Sequence, residues 1–222
     1  MTRARALIYD AAIVHMTAAW YDAVLERLPL ACRLLDVGIG TGSALLHSAE
    51  AVVNKDLHVT GIDIDADYVE RCKHEVSRHG LDKRIAVRLE SVYDHHGGPY
   101  DAVYFSGSFM LLPDPAGALR HVVTLLVPNG RIYFTQTFEQ RRSIVLEILK
   151  PLLRRVTTID FGRVTYEASF RNALAESGIE VEELQTLSRG RRRSSVLAVG
   201  RACHASPTPA EVHSGLHSAG RL

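Results

Sequence analysis

Cysteine is scarce in this chain. Its three thiols, Cys32, Cys72 and Cys203, are far apart and odd in number. That excludes a disulfide framework and fits the reduced thiols of an intracellular protein. No cysteine pair has metal-ligand spacing, and no His/Cys/Asp cluster does either, so no metal is expected. An excess of charge of one sign is also missing. The 26 Lys and Arg residues face 25 Asp and Glu, a formal net charge of +1. This argues against electrostatic capture of nucleic acid as the main task. No apolar run approaches the roughly 20 residues that span a bilayer. The start, Met1-Thr2-Arg3-Ala4-Arg5, has no long apolar stretch after it, so a secretory signal is not expected. These absences predict a cytoplasmic protein with no membrane partner.

What is present is ordinary in bulk and specific in detail. A length of 222 residues and an apolar fraction of 46% suffice for one domain with a sizeable core, or for two small ones. The specific part is the run Leu34-Leu35-Asp36-Val37-Gly38-Ile39-Gly40-Thr41-Gly42. An apolar strand ends in an acid, and three glycines follow at alternate positions. Residues without Cβ turn sharply and let a ligand approach the backbone. The turn leads into a helix near Ser43, whose free N–H groups favour polar or anionic ligand groups. A second acid, Asp63, ends the next strand. Together these outline a nucleoside-binding crevice at the carboxyl ends of parallel strands.

The rest of the chain reads as alternating helices and strands. A helix is predicted over residues 4–27, with strands near 33–37, 58–63, 85–89, 102–106 and 131–136. Helices are predicted over 43–53, from Asp65 to about 79, and from Asp114 to 126 with Pro115 in its first turn. Residues 138–178 read as helical with a break near 158–164. Two strands close the pattern at 180–187 and 195–200. The alternation predicts an α/β fold with a parallel sheet between helical layers. The tail, residues 204–222, is rich in Ser, Pro, Gly and His and is expected to be disordered.

Dinucleotide enzymes use Gly-x-Gly-x-x-Gly. Here the spacing is Gly38-x-Gly40-x-Gly42, with an acid two residues earlier. That pattern resembles motif I of the class I S-adenosylmethionine-dependent methyltransferases. Gly98-Pro99-Tyr100-Asp101-Ala102-Val103-Tyr104-Phe105 is similar to the family's fourth motif. Leu112-Pro113-Asp114-Pro115 and Leu125-Leu126-Val127-Pro128-Asn129-Gly130-Arg131-Ile132 resemble its passage into strand five. The resemblance runs from about Arg33 to Gly200. It implies a doubly wound, seven-stranded, mostly parallel sheet whose last strand is antiparallel, between strands five and six. It implies S-adenosyl-L-methionine as cofactor, with Asp36 organising the glycine loop and the methionine part, and Asp63 on the ribose hydroxyls. Gly38, Gly40, Thr41, Gly42 and Ile64 complete that expectation.

Other positions carry finer expectations. In the family an acid just past strand three often bonds the adenine amino group. Here Ser91 and Val92 stand in that region, with Ser91 a candidate contact and Val92 or Tyr93 a candidate wall. Ser106, at the end of strand four, faces the crevice beside the cofactor. Ser108 and Phe109 follow it and are candidate acceptor contacts, as are Tyr9 and Trp20 on the N-terminal helix. That helix, residues 1–30, is expected to act as a lid over a methyltransferase domain of residues 31–203. Residues 138–178 form a second covering segment within it. The alternative for the aromatic set is plain core. His95-His96 offers a general base near neutral pH, against the alternative of a polar loop, and His121 is expected to be solvated. No catalytic residue is named.

The predicted function is methyl transfer to a small-molecule acceptor by direct displacement. One alternative is an RNA or protein methyltransferase that uses the basic run Arg189-Gly190-Arg191-Arg192-Arg193. Another is a methyltransferase-like scaffold without catalysis. A dinucleotide is the alternative ligand.

Overall fold

The computed structural model describes residues 16–139, 166–191 and 193–203. Tyr9, residues 140–165 of the predicted 138–178 segment, and the 204–222 tail lie outside the described residues. Residues 16–27 form helix α1. Then come β1 (Arg33–Val37), α2 (Ser43–His47), α3 (Ala49–Asn54), β2 (His58–Asp63), α4 (Ala66–Arg78), β3 (Ile85–Leu89) and β4 (Tyr100–Ser106). A short 3₁₀ turn at Phe109–Leu111 leads to α5 (Pro115–Thr124), β5 (Leu126–Glu139), α6 (Glu167–Glu176), β6 (Ile179–Arg189) and β7 (Arg193–Ala202).

The seven strands form one sheet in the order β3-β2-β1-β4-β5-β7-β6. β1 to β5 are mutually parallel, and β7 lies antiparallel between β5 and β6. The chain reverses direction across the sheet between β1 and β4, which leaves a crevice at their carboxyl ends. Alternating residues divide the core in two. Leu34, Val59, Ala102 and Tyr104 pack on one face with Tyr21, Val24 and Leu25 of α1 and Cys72 and Val76 of α4. Leu35, Val103, Phe105 and Phe134 pack on the other with Leu119 and Val122 of α5 and Phe170 of α6.

Three expectations are corrected. The first crossover helix is two pieces, broken at Ser48, whose hydroxyl donates to Asp22 at 2.5 Å. That bond to α1 competes with continued helical geometry. Phe138 and Glu139 are not helical but extend β5, pairing with Ser194 and Arg193. Phe138 continues the face of Phe134 and Gln136 along the strand and is buried. β6 and β7 are longer than predicted, because pairing with each other satisfies backbone groups that weak local propensity leaves open. The predicted bounds of β1, β2 and β3 match those observed.

Candidate functional site

The glycine loop joins β1 to α2. Gly38, Gly40 and Gly42 all have φ in the left-handed region, at +80°, +59° and +70°, where a Cβ strains the backbone. Their surroundings differ. A Cβ on Gly38 would meet Ser108 Cβ at 2.7 Å, and one on Gly42 would meet Cys72 Sγ at 2.5 Å. Around Gly40 nothing lies within 4 Å. Two glycines therefore pack against protein, and the middle one faces open space. Ser108 also donates its hydroxyl to the Val37 carbonyl at 2.5 Å, which ties the β4 end to the loop.

Asp63 closes the loop from β2. Its Oδ2 accepts from the Gly40 N–H at 2.9 Å and its Oδ1 from the Asp65 N–H at 3.0 Å. An ionised carboxylate has about four acceptor sites, so room remains for hydroxyl donors. Ile64 beside it is 77% exposed, an apolar side chain open to a ligand. Thr41 shares a 2.9 Å hydrogen bond with Ser43 at the start of α2.

Asp36 lies beneath the loop and is fully buried. Tyr21 of α1 donates to its Oδ2 at 2.6 Å, while Oδ1 has no partner among the described residues. Its carboxyl is pushed up to about 7, chiefly by burial against the opposing pull of the Tyr21 bond, with the nearby Asp63 charge adding to the rise. A buried acceptor without a donor is costly and uncommon. Here it marks a place for a donor, best a cationic one. Tyr21 packs edge-on against Tyr104 at 5.0 Å, and Tyr104 shares a 2.8 Å bond with Thr135. Ser106 engages both tyrosine hydroxyls, and burial raises both phenols above their ordinary range. The Cys72 thiol, pushed up to about 12 by burial and then by Asp36, is no nucleophile.

The remaining predicted positions spread over several environments. Ser91 is half-buried and its Oγ accepts from the Tyr93 N–H at 3.3 Å. Val92 is buried within the core on the α5 side. Trp20 is 5% exposed and its ring lies 3.3 Å from where a Gly107 Cβ would stand, just past β4. Phe109 is buried among Phe105, Phe134 and Phe170, with ring centroids 5.0–5.8 Å apart. It supports the β4 end from within the core.

Sequence reasoning missed Tyr21, whose helical spacing reads as core and whose hydroxyl gives no local signal. The histidines also require correction. His95 is fully buried, with Nδ1 2.9 Å from Glu90 Oε2 and Nε2 2.8 Å from the Tyr100 hydroxyl. With both nitrogens engaged it is neither an open polar loop residue nor a free base. His121 is not simply solvated, since its Nε2 donates to the His95 carbonyl at 2.8 Å. In the basic run, Arg193 pairs with Glu139 at 2.7 Å. Among the described residues no cluster could hold a metal ion, and no helix is long and apolar enough to cross a membrane.

Residues 35–132, which hold the glycine loop, both acids and the β4 end, match the family model "Methyltransferase domain". The ubiquinone biosynthesis O-methyltransferase of Thiobacillus denitrificans is 29% identical over 174 residues, covering 74% of this chain and 71% of the relative. Among solved structures, the [4+2]-cyclase SpnF superposes with a TM-score of 0.69 at 18% identity, over 83% of this chain and 81% of that one. A geranyl diphosphate methyltransferase in complex with SAM gives 0.67 at 14% identity, over 84% and 85%. The two superpositions speak for the fold alone, since one fold hosts different reactions. The glycine spacing, the paired acids and the strand order agree with that match, and over residues 35–132 the chain is similar to the S-adenosylmethionine-dependent methyltransferases.

Proposed function

We propose that this chain methylates a hydroxyl oxygen of a small-molecule acceptor by direct displacement. The observation that carries the reading is the glycine loop closed by Asp63 over a buried, unpaired Asp36 oxygen. The residues present fit the cofactor. Gly40 leaves room for close backbone approach. Asp63 has acceptor capacity for ribose hydroxyls, and Asp36 Oδ1 suits the α-ammonium of the methionine end. When bound, the cofactor supplies a methyl group already activated by positively charged sulfur. The chain's own task is then to position the acceptor oxygen in line with that methyl and to exclude water. Transfer to a hydroxyl oxygen would release the acceptor's proton to solvent.

The choice of oxygen and of a small acceptor rests on the name of the Thiobacillus denitrificans relative. Ser106, Ser108 and Gly107 keep the β4 end small, so an acceptor can approach, and Trp20 walls that end.

Calorimetric titration with S-adenosylmethionine, S-adenosylhomocysteine and NADH tests the cofactor. Micromolar binding of the first two and none of NADH is expected, and NADH binding alone would overturn the reading. Asp63→Ala should weaken S-adenosylhomocysteine by about 10- to 100-fold, as loss of a charge-assisted hydrogen bond implies. An unchanged affinity in the folded variant would remove Asp63 from the ribose site. A screen of phenolic, carboxylic and amine acceptors then tests the oxygen assignment.

A further inference from the structure

Beyond the β4 end the sheet has two unlike faces. Ser106, the last residue of β4, pairs with Thr135, and β5 runs on through Glu139. The further residues carry that strand roughly 13 Å past the β4 end. β7 starts beside Glu139 and β6 ends beside Ser194, so the β6–β7 turn stands at the same end of the sheet as the crevice. On the α5 side this wall stays apolar, with Phe134, Phe138 and Val196 buried near Phe170. On the α1 side the apolar residues stop at Tyr133 and Leu197. The strand alternation then gives Thr135, Thr137, Glu139, Ser195 and Arg193 on the face that also holds Asp36 and Ser106.

That polar face is built around one fixed cation. Arg193 Nε donates to Glu139 Oε1 at 2.7 Å. The Glu139 side chain is 14% exposed and that of Arg193 64%, so a well-covered carboxylate orients an open guanidinium. The two terminal nitrogens of that group make no other bond among the described residues. They form a planar fork that matches the two oxygens of a carboxylate. On the same face Thr137 and Ser195 share a 3.3 Å hydrogen bond, which uses one of their two hydroxyl hydrogens. Arg189 and Arg191 at the turn are exposed and have no ion pair among the described residues. Positive charge therefore exceeds what Glu139 neutralises.

We propose that Arg193, held by Glu139, binds a carboxylate of the methyl acceptor, which makes the acceptor a hydroxy acid. This rests on the methyl-transfer reading above and names the acceptor's class. The open edge of the guanidinium receives the two oxygens, and Thr137 with Ser195 offers a hydroxyl donor on the way down. The acceptor hydroxyl is then directed toward Ser106 and Trp20. The wall rises roughly 13 Å and the arginine side chain reaches back along it, which suits one ring with a short acid-bearing arm.

The test uses the full chain saturated with S-adenosylhomocysteine. Its probes are para-hydroxybenzoate, para-hydroxyphenylpropionate and para-hydroxycinnamate, each beside its methyl ester. Calorimetry should find an acid that binds about 10- to 100-fold more tightly than its ester, the range of a charge-assisted hydrogen bond. Arg193→Gln, at an exposed position, should weaken that acid by the same factor and leave the ester unchanged. Esters that bind as tightly as the acids overturn the proposal. So does an Arg193→Gln variant that keeps the preference, or one that loses acid and ester alike as a merely structural role would. If none of the acids binds, or a single-stranded RNA binds in their place and is lost in Arg193→Gln, this inference fails and the cofactor reading stands. A chain that does not bind S-adenosylhomocysteine in the first place overturns both.

Discussion

Asp36 is the residue at which burial and function conflict most. Its carboxyl is raised from 3.8 to about 7, first by desolvation. Between those values the folded chain keeps a proton that the unfolded chain has released. Stability therefore falls as pH rises from about 4 to about 7 and levels off above. The full span is at most about 4 kcal/mol. Asp36→Asn keeps an acceptor for Tyr21 and has no charge to bury. Urea denaturation at pH 5 and pH 8 should show the unsubstituted apo chain losing stability and the variant much less. The same variant should bind S-adenosylhomocysteine more weakly at pH 8, because the anion is what answers a cationic amine. Equal pH slopes in the two proteins would show that Asp36 is ionised in the fold without penalty. The motif position of Asp36 is plain in the sequence. Its missing hydrogen bond is not, since that depends on how α1 closes beneath the loop.

At the scale of elements, the glycine loop works because β1, α2, α4 and the β4 end meet at it. Gly42 shows this best. Its φ of +70° is strained for any other residue, and an added Cβ would strike Cys72 of α4. Gly42→Ala should cost about 2–5 kcal/mol, the sum of left-handed strain and overpacking. Adding Cys72→Ala relieves the overlap, so the double variant should recover part of that loss in a thermodynamic cycle. Strict additivity would show that the strain is in the backbone alone. Gly40→Ala meets no neighbour and should cost less stability, yet it intrudes on the open side where the cofactor would lie. The alternate spacing of the glycines marks all three in the sequence. Which of them faces the ligand is decided by packing.

For the whole molecule, α1 is the brace. It runs across the sheet and is fastened far from its neighbours in sequence. Arg27 pairs with Glu183 of β6 at 2.7 Å and Lys55 Nζ, just after α3, donates to the Leu25, Glu26 and Leu28 carbonyls at 2.6–2.8 Å. Those bonds satisfy the open carbonyl end of the helix with a cation, where it is most effective. The ion pair with Glu183 is half-exposed and contributes little. Lys55→Met should destabilise the fold by about 1.5–3 kcal/mol. In a chain of this size that lowers Tm by roughly 3–12 °C. A Tm within 1 °C of the parent would show that α1 is held by its apolar face alone.

The sequence by itself determined the order of the strands along the chain and the likeness of its glycine loop to a methyltransferase domain, because local periodicity and glycine spacing are written in neighbouring residues. It placed β1, β2 and β3 closely for the same reason: buried parallel strands are short apolar runs with turn residues at both ends. It could not place the ends of β5, β6 and β7, whose polar residues become strand only by pairing. Nor could it pair Tyr21 with Asp36, 15 positions away, or Lys55 with the end of α1. His95 reads in sequence as a polar loop residue, and only the folded loop encloses its ring between Glu90 and Tyr100. Hydrogen bonds across elements depend on three-dimensional distance, and that is settled only when the two cores close on the sheet.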